Sequence, residues 1–447
     1  MRKILWIAFL VYFFVPAITM AQQKTKGKGK DNKKEAELIC GKALDYLRGN
    51  NGVPIDTAKA IVLFKEAAEK GDSFAQYELG YFYDTGKGVY KDYRQAVYWY
   101  RKAAEQGDMY AQEMLGLSYL EGRGVEKDCE QAIYWLHKAA EQGYADAQTW
   151  LGVAYDKKGE EKGNDNDYKQ AVYWFRKAAE QGDSYALFNL GQCYVLGQGV
   201  YKDYEKAVYW YRKAAEQGYM YAQEMLGTLF LNEKDYKQAV YWFRKAAEQG
   251  DRSAQRQLGH CYRSGYGLSI DYEQAVYWFR KAAEQGHAEA QYDLGLCFLK
   301  GEGVKKNHTQ AVYWYRKAAE QGHEIAQHNL GCYYSDGIGV EQDYKKAVYW
   351  FRKAAEQGYT ESQVNLGCMF INGEGDPEDY KQAVFWFKKA VDGGSDRGLY
   401  NLGLCYLFGY GVKKDLDMAK RLLIESARLG YQHAKERLKE SFGIESC

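Results

Sequence analysis

The stretch that begins at Asp92 and reads DYRQAVYWYRKAAEQG constrains the fold of this chain more than any other feature, because the chain contains nine nearly identical copies of it. The copies recur mostly every 36 residues, with one spacing of 39 and one of 32. A fixed period of this length is typical of proteins built from stacked structural repeats. With two fainter copies included, the repeats end near residues 71, 107, 143, 182, 218, 250, 286, 322, 358, 394 and 430.

The repeated stretch is predicted to be a helix, here called helix B. Asp92 suits the N-cap position, and Gln95 three residues later completes a capping-box-like start. Gly107 supplies the left-handed residue that ends the helix. The apolar residues between these ends fall at helical spacing and form one stripe: Ala96, Trp99, Tyr100, Ala103 and Ala104.

A second motif lies between the copies and reads AQEMLGLSYLEGRGV from Ala111 to Val125. Its apolar residues share one helical face, which predicts a second helix, here called helix A. A mid-helix glycine such as Gly116 costs about 1 kcal/mol relative to alanine, so its recurrence in the repeats predicts a close approach of helix B. The G-x-G-V ending closes helix A and turns Val125 back onto it. The 39-residue repeat is predicted to carry its insertion in the turn at 157–167, and the 32-residue repeat lacks the G-x-G-V loop.

The first residues of the chain differ from the repeats. Arg2 and Lys3 precede an apolar run, and a small-residue site ending at Ala21 follows it, which predicts a signal peptide over 1–21 with cleavage after Ala21. Residues 22–34 are rich in lysine and are predicted to be a flexible linker. No second apolar run of membrane length follows, so we expect an exported protein, periplasmic or secreted, that is not integral to a membrane after cleavage. The net charge of +1 argues against a dedicated nucleic-acid binder.

The repeat pattern resembles that of the Sel1-like repeat family, which is related to the tetratricopeptide repeat. The resemblance covers residues 35–442. It implies an all-α, right-handed superhelix of about eleven helix-turn-helix repeats and a terminal capping helix, acting as an adaptor for protein–protein interaction, often in the bacterial envelope. Some exported members are described as penicillin-binding or weak β-lactamases. The residues that carry the resemblance are Ala111, Leu115, Gly116, Tyr119, Gly122, Gly124, Val125, Asp128, Ala132, Trp135, Lys138, Ala139, Ala140 and Gly143.

No motif for catalysis or metal binding is found in the sequence. A serine β-lactamase requires S-x-x-K, which does not occur. His323 and His328 are five residues apart, so they diverge around a helix and do not form a zinc pair. The nine cysteines are an odd number, and their positions favour buried free thiols over a disulfide framework. We therefore expect no catalytic residue, no metal and no cofactor.

The aromatic residues of helix B allow more than one interpretation. Its nine tryptophans are either sugar-stacking platforms or part of the core between helices, and their place on the apolar stripe favours the core. Tyr98 and its counterparts lie opposite that stripe. They either form an outer ladder with lysines such as Lys102 or pack between repeats, and we favour packing slightly.

Helix B is almost constant from repeat to repeat, whereas helix A varies at matching positions. The resemblance implies that helices A line the concave face, so we expect a protein or peptide partner to bind there, although drift after duplication also explains the variation. The alternatives are a peptidoglycan- or glycan-binding protein and an enzyme related to the penicillin-binding members. The predicted partner-binding residues are Glu113, Met114, Phe188, Asn189, Arg256, Gln257, Tyr292, Asp293, His328, Asn329, Val364, Asn365, Tyr400 and Asn401.

Overall fold

The computed structural model describes residues 32–374 and 379–444, and every regular element in these ranges is helical. The chain divides into two units, unit 1 at Met1–Ala222 and unit 2 at Gln223–Cys447. The division falls inside the first helix of the shortened repeat and not in a linker. Within each unit, consecutive helices pair as helix A and helix B, so the predicted α-solenoid of helix-turn-helix repeats is confirmed.

The described residues contain 23 helices, which alternate between the two types. The helices A are α1 (32–48), α3 (Ser73–Thr85), α5 (Met109–Glu121), α7 (Ala145–Lys162), α9 (Ser184–Leu196), α11 (Met220–Asn232), α13 (Arg252–Ser264), α15 (Ala288–Lys300), α17 (Glu324–Asp336), α19 (Thr360–Asn372), α21 (Asp396–Phe408) and the terminal α23 (Gln432–Phe442). The helices B are α2 (Thr57–Glu69), α4 (Tyr93–Glu105), α6 (Cys129–Glu141), α8 (Asp165–Glu180), α10 (Tyr204–Glu216), α12 (Tyr236–Gln249), α14 (Tyr272–Glu284), α16 (His308–Glu320), α18 (Tyr344–Glu356), α20 (Tyr380–Asp392) and α22 (Leu416–Arg428).

The ends of the chain are only partly covered. The predicted signal peptide, its cleavage site after Ala21 and Cys447 lie outside the described residues. The last three residues of the predicted linker, 32–34, belong to helix α1. In the described ranges, no helix combines the length and the hydropathy that a membrane crossing requires.

Except for α8, whose N-cap is Asn164 and not Asp167, each helix B of the nine copies begins as its capping residue predicts. The Asp92 carboxylate accepts hydrogen bonds from the backbone N–H groups of Arg94 and Gln95, at 2.9 and 3.1 Å. The backbone N–H of Asp92, which a capping box pairs with the side chain at Gln95, donates instead to the Tyr83 carbonyl in helix A, at 2.9 Å. The same cap therefore starts helix B and ties it to helix A of its own repeat.

The glycine in the middle of helix A lies against a large side chain of helix B. A Cβ atom at Gly80 would be 2.5 Å from the Tyr100 ring, and one at Gly295 would be 2.8 Å from the Tyr315 ring. Cβ atoms do not approach other atoms so closely in a packed interior, so a larger residue requires the ring to move. The close approach of helix B that the sequence predicts is confirmed.

The two glycines of the G-x-G-V loop have different tasks. Gly122 ends α5 with a φ of 74°, and Val125 packs against the core of unit 1. Gly124 has a φ of 73° and lies against the backbone of Tyr93, at the start of helix B in the preceding repeat. A Cβ atom at Gly124 would overlap the Tyr93 carbonyl oxygen. At the second glycine, the backbones of consecutive repeats are thus in direct contact, with no space for a side chain between them.

The 39-residue repeat differs from its prediction. The sequence places the insertion in a loop at 157–167, but α7 runs to Lys162 and α8 begins at Asp165. Gly159, inside the lengthened α7, lies so close to Tyr168 that a Cβ atom would be 2.9 Å from the ring. The insertion therefore lengthens both helices, because each added turn packs against the other. In the 32-residue repeat the loop is absent, as predicted, and Lys234 makes the turn with a φ of 64°.

Tryptophans of helix B belong to the core, as predicted. Those at 99, 135, 174, 242, 278, 314 and 386 are buried, and Trp210 and Trp350 are partly buried. The neighbouring tyrosines are different, since Tyr98 is 48% exposed and the Nζ of Lys102 lies 4.7 Å from its ring centre. The prediction that these tyrosines pack between repeats is wrong. They form the outer ladder with lysines that was the other interpretation. The sugar-platform interpretation concerned the tryptophans, and their burial disfavours it.

A pair of glutamines, here called the glutamine clasp, joins three helices at each of several repeats. The Gln291 side chain in α15 donates to the Ala283 carbonyl at the end of α14, at 3.0 Å. Its own oxygen accepts a hydrogen bond of 2.8 Å from the Gln321 side chain at the end of α16. The Ala283 carbonyl also accepts from the Gly286 backbone N–H, so the glutamine adds a second hydrogen bond at the end of α14. Equivalent pairs are Gln76 with Gln106, Gln112 with Gln142, Gln148 with Gln181, Gln255 with Gln285, and Gln327 with Gln357.

The clasp gives a prediction for stability. Replacing Gln291 by leucine removes both hydrogen bonds and leaves the Gln321 amide without its acceptor in α15, so we expect a loss of about 1–3 kcal/mol in the free energy of unfolding. The matched control is Gln274→Leu, because Gln274 is exposed on α14 and should change stability by less than about 0.5 kcal/mol. Chemical denaturation followed by circular dichroism measures both. Equal midpoints for the two variants would refute a structural role for the clasp.

Candidate functional site: the A-helix face

The predicted partner-binding residues of unit 1 lie near one another in pairs along helices α5 and α9. Glu113 is only 7% exposed, and Met114 beside it packs partly into the core. Phe188 and Asn189 are partly exposed, and the Phe188 ring lies 5.3 Å from that of Tyr219. We call the surface formed by the variable residues of the helices A, together with the residue preceding each of these helices, the A-helix face.

Aromatic rings connect consecutive repeats along this face in unit 1. The Tyr110 ring centre lies 5.8 Å from that of Tyr77 and 5.2 Å from that of Tyr144. Further along, the Tyr185 ring lies 5.7 Å from Trp150 and 6.2 Å from Tyr219. Ring contacts at these distances favour edge and tilted arrangements, which fix the side chains relative to one another.

Glu113 is the most unusual charge on the A-helix face of unit 1. Burial, and then the negative charge of Asp146, raise the pKa of Glu113 to about 7. In the part of the chain that the structure describes, no hydrogen bond or ion pair reaches its carboxylate. The Glu113 charge also contributes to the raised pKa values of Tyr77 and Tyr144, after burial, so it acts on both neighbouring repeats.

The same face in unit 2 carries charges that pair with one another. Asp293 accepts from the Nε of Arg256 at 2.7 Å and lies 3.0 Å from the Nε2 of His260. Burial opposes ionisation of Asp293, but His260 and Arg256 outweigh it and hold the pKa of Asp293 below its ordinary value. Glu289 lies 3.5 Å from Arg256 and 3.3 Å from His323. These charged side chains thus pair with one another.

The remaining predicted residues of unit 2 lie on the same face but differ in exposure. Tyr292 stacks on the His323 ring at 4.7 Å, and His328 lies 2.8 Å from the Ser362 hydroxyl. The residues at 257, 329, 365, 400 and 401 are partly exposed. Val364 is fully buried and packs in the core of unit 2, so it does not present a side chain to a partner.

Several residues of this face escaped the sequence analysis. Tyr144 and His323 precede helix A directly, and His260 and Glu289 lie one turn from the variable pair. A signal for the first two was present, because the residue after each helix B glycine alternates among aspartate, tyrosine, histidine and serine. The tyrosine and histidine at this position take part in the ring contacts described above.

The structure also locates the groups considered for chemistry. His323 accepts a hydrogen bond from the Ala326 backbone as an N-cap, while His328 contacts Ser362, so the two histidines have separate partners. Among the described residues no cluster of three histidine, cysteine or acidic side chains has a metal-binding arrangement. The eight described cysteines are free thiols, and those at 40, 193, 261, 297 and 405 are buried. Burial raises the pKa of the Cys261 thiol to about 11, which leaves it unreactive.

Paired helices, glycine joints between repeats and one variable face define an α-helical repeat protein of the tetratricopeptide type. The family model described as Sel1 repeat matches eleven stretches of the sequence, and the chain belongs to this family. The matches cover residues 35–72, 73–108, 110–144, 145–183, 184–219, 221–251, 252–287, 288–323, 325–359, 360–395 and 396–431.

Two proteins of solved structure are similar to this chain, and the first of them shares its fold. The protective antigen c5321 of uropathogenic Escherichia coli is 39% identical, with a TM-score of 0.65, and the match covers 86% of this chain and 84% of that one. A Sel1 repeat protein from Oxalobacter formigenes is 35% identical over 50% of this chain and 93% of that one, with a TM-score of 0.48. No curated protein matches the chain.

Proposed function

We propose that this protein is a non-catalytic scaffold whose A-helix face binds protein or peptide partners. The observation that carries the proposal is the division of labour between the two helices. Helix B uses its nearly constant residues for the core and for an outer ladder already covered by its own lysines. Within each unit, the residues that differ between repeats lie on helix A, and a binding surface assembled from consecutive repeats would use such residues.

The proposal predicts that aromatic and histidine side chains on the A-helix face of unit 2 contribute to partner capture. Replacing Tyr292, His328 and Tyr400 together by alanine removes rings from the same repeat position of helices α15, α17 and α21. We expect at least a tenfold loss of affinity for the partner, because hot-spot aromatic residues each contribute about 2 kcal/mol or more. The measurement is capture of proteins from a bacterial envelope extract, followed by titration of the identified partner.

The control removes the same number of rings from the opposite side of unit 2. Tyr277, Tyr313 and Tyr349 lie on the outer ladder, and alanine at these positions leaves the A-helix face unchanged. Circular dichroism must show that both triple variants are folded. Unchanged affinity in the A-helix variant, or an equal loss in the outer-ladder variant, would contradict the proposed binding face.

We also propose that the protein is exported and acts in the periplasm or outside the cell. The proposal rests on the signal peptide predicted over 1–21, and the 39% identity to c5321, a protective antigen, is consistent with it. N-terminal sequencing of the protein purified from cell fractions tests it. A mature N-terminus at Gln22 in the periplasm or medium supports export, and an intact Met1 in the cytoplasm contradicts it.

A further inference from the structure

The A-helix face of unit 1 carries a surplus of negative charge next to aromatic rings. We call it the acidic strip and define it by Tyr77, Glu78, Tyr110, Glu113, Tyr144 and Asp146. The two helices α3 and α5 contain acidic residues but no lysine or arginine. The strip therefore has rings in contact from repeat to repeat and acids from three successive helices A.

Glu113 and Asp146 of the strip lack the cationic partners that Asp293 has in unit 2, whereas Glu78 has the charges of Arg48 and Lys87 nearby. In unit 2, Asp293 is bound by Arg256 and His260. Glu113, by contrast, is more than nine-tenths buried, and no described residue pairs with it. Asp146 has only the Tyr144 hydroxyl, at 3.0 Å. An unpaired carboxylate in such a position is costly unless something outside the fold supplies a donor.

We propose that the acidic strip of unit 1 binds an extended, cationic segment of a partner protein, whose lysine or arginine side chains reach Glu113 and its neighbouring acids. This inference rests on the proposed scaffold function and names the chemistry of the partner. A cationic side chain supplies the missing donor to Glu113. The rings of Tyr77, Tyr110 and Tyr144 offer faces to the same cation and to the aliphatic part of its side chain.

The spacing of the repeats specifies the ligand further. The acids of the strip lie on three successive helices A, so a ligand that reaches more than one of them must be extended along the strip. A polyproline II segment rises about 3.1 Å per residue and has three residues per turn. Lysines at every third position of such a segment therefore point to one side at intervals of about 9 Å, so that they reach along the strip to acids on more than one helix. A peptide with the same composition and its lysines clustered at one end presents them to one part of the strip only.

The experiment measures binding of these two synthetic peptides to the full chain by calorimetry or fluorescence anisotropy. The matching probe consists of about four Lys-Pro-Pro triplets, and the second is its clustered isomer. We expect the matching peptide to bind at least tenfold more tightly at pH 8. We also expect its affinity to fall about tenfold from pH 8 to pH 6, because Glu113, with its pKa of about 7, becomes protonated in that range. Lysine does not titrate there.

The variant Glu113→Gln should weaken binding about tenfold at pH 8 and abolish the pH dependence. Glu126→Gln is the matched control, since it removes the same charge from an exposed residue in the loop after α5. Equal effects of the two variants, or equal binding of the two peptides, would show non-specific charge attraction and overturn the proposal. A peptide of the same length with glutamate in place of lysine should not bind.

The chain contains a cationic segment of its own, with lysines at 24, 26, 28 and 30. Replacing these four lysines by glutamine in the full chain tests whether this segment competes with the peptide for the acidic strip. Unchanged peptide affinity supports a partner in the strip, whereas a tenfold rise shows that the chain's own segment occupies it and overturns the partner assignment. If the triple variant at 292, 328 and 400 loses its partner while no cationic peptide binds, the scaffold function stands and only this inference fails.

Discussion

Replacing Gly303 by alanine is expected to destabilise unit 2 by about 3–5 kcal/mol, the largest effect we predict for a single methyl group. Gly303 has a φ of 69°, a conformation that costs other residues about 1–2 kcal/mol. A Cβ atom would also overlap the Tyr272 carbonyl oxygen, at the start of α14 in the preceding repeat. The obstacle is helix backbone, which cannot rotate away as a side chain does, so the joint between repeats must open.

The chain supplies a control that separates the two costs. Gly322 has a φ of 95°, but no atom lies within 4 Å of a Cβ atom placed there. Gly322→Ala should therefore cost only the backbone term, about 1–2 kcal/mol. Because long repeat arrays do not always unfold in one step, hydrogen exchange in α14 and α15 should accompany denaturant unfolding. Equal destabilisation by the two variants would mean that the loop glycines act through conformation alone.

Replacing Glu113 by glutamine is expected to stabilise unit 1 by about 2–3 kcal/mol at pH 8 and to have little effect at pH 4. Burial, reinforced by Asp146, raises the pKa of Glu113 to about 7 in the folded chain. The folded protein thus binds this proton more tightly than the unfolded chain does. The resulting stability is complete below the ordinary carboxyl pKa and is lost as the pH rises towards 7. Glutamine mimics the protonated acid and keeps that stability at every pH.

Denaturant unfolding of each variant and of the parent protein is measured at both pH values. The contributions of the other acids cancel in the difference between the two free energies of unfolding. Tyr77, Tyr144 and Asp146 face Glu113 from neighbouring elements and are unchanged. Glu126→Gln should leave the difference near zero at both pH values. Destabilisation by Glu113→Gln at pH 8 would show that the carboxylate has a partner within the fold. A stabilised variant that no longer binds the cationic peptide would show that Glu113 is kept for recognition at a cost in stability.

The fold was predictable because its causes are local and repeated. The aspartate caps, the apolar stripe and the terminal glycine specify helix B, and the glycine of helix A signals its close approach. Two features were not predictable. The parts of α7 and α8 within 157–167 are helical because Gly159 packs on Tyr168. This contact joins two segments that the regular 36-residue repeat does not predict. The exposure of Tyr98 depends on which sides of helix B pack against other helices of the solenoid. The apolar stripe of helix B alone does not determine this exposure.

The site was less predictable than the fold. Variation among repeats located the A-helix face, but it could not distinguish Val364, which fills the core, from Tyr292 beside a neighbouring ring. Both occupy the same position of the repeat. Nor could it show that Asp293 has partners in α13 whereas Glu113 has none. These differences arise between side chains 30 or more residues apart, and a single repeat carries no information about them.

The glutamine clasp makes the repeats that carry it compatible with one another, since helix A and helix B of these repeats carry the same complementary amides. Recombination that inserts or removes a complete 36-residue segment therefore leaves no mismatched junction behind. Lineages can change the length of the array, and with it the number of acids or rings presented in a row, without first evolving a new interface. The length of the recognition surface can then change to match the length of its ligand.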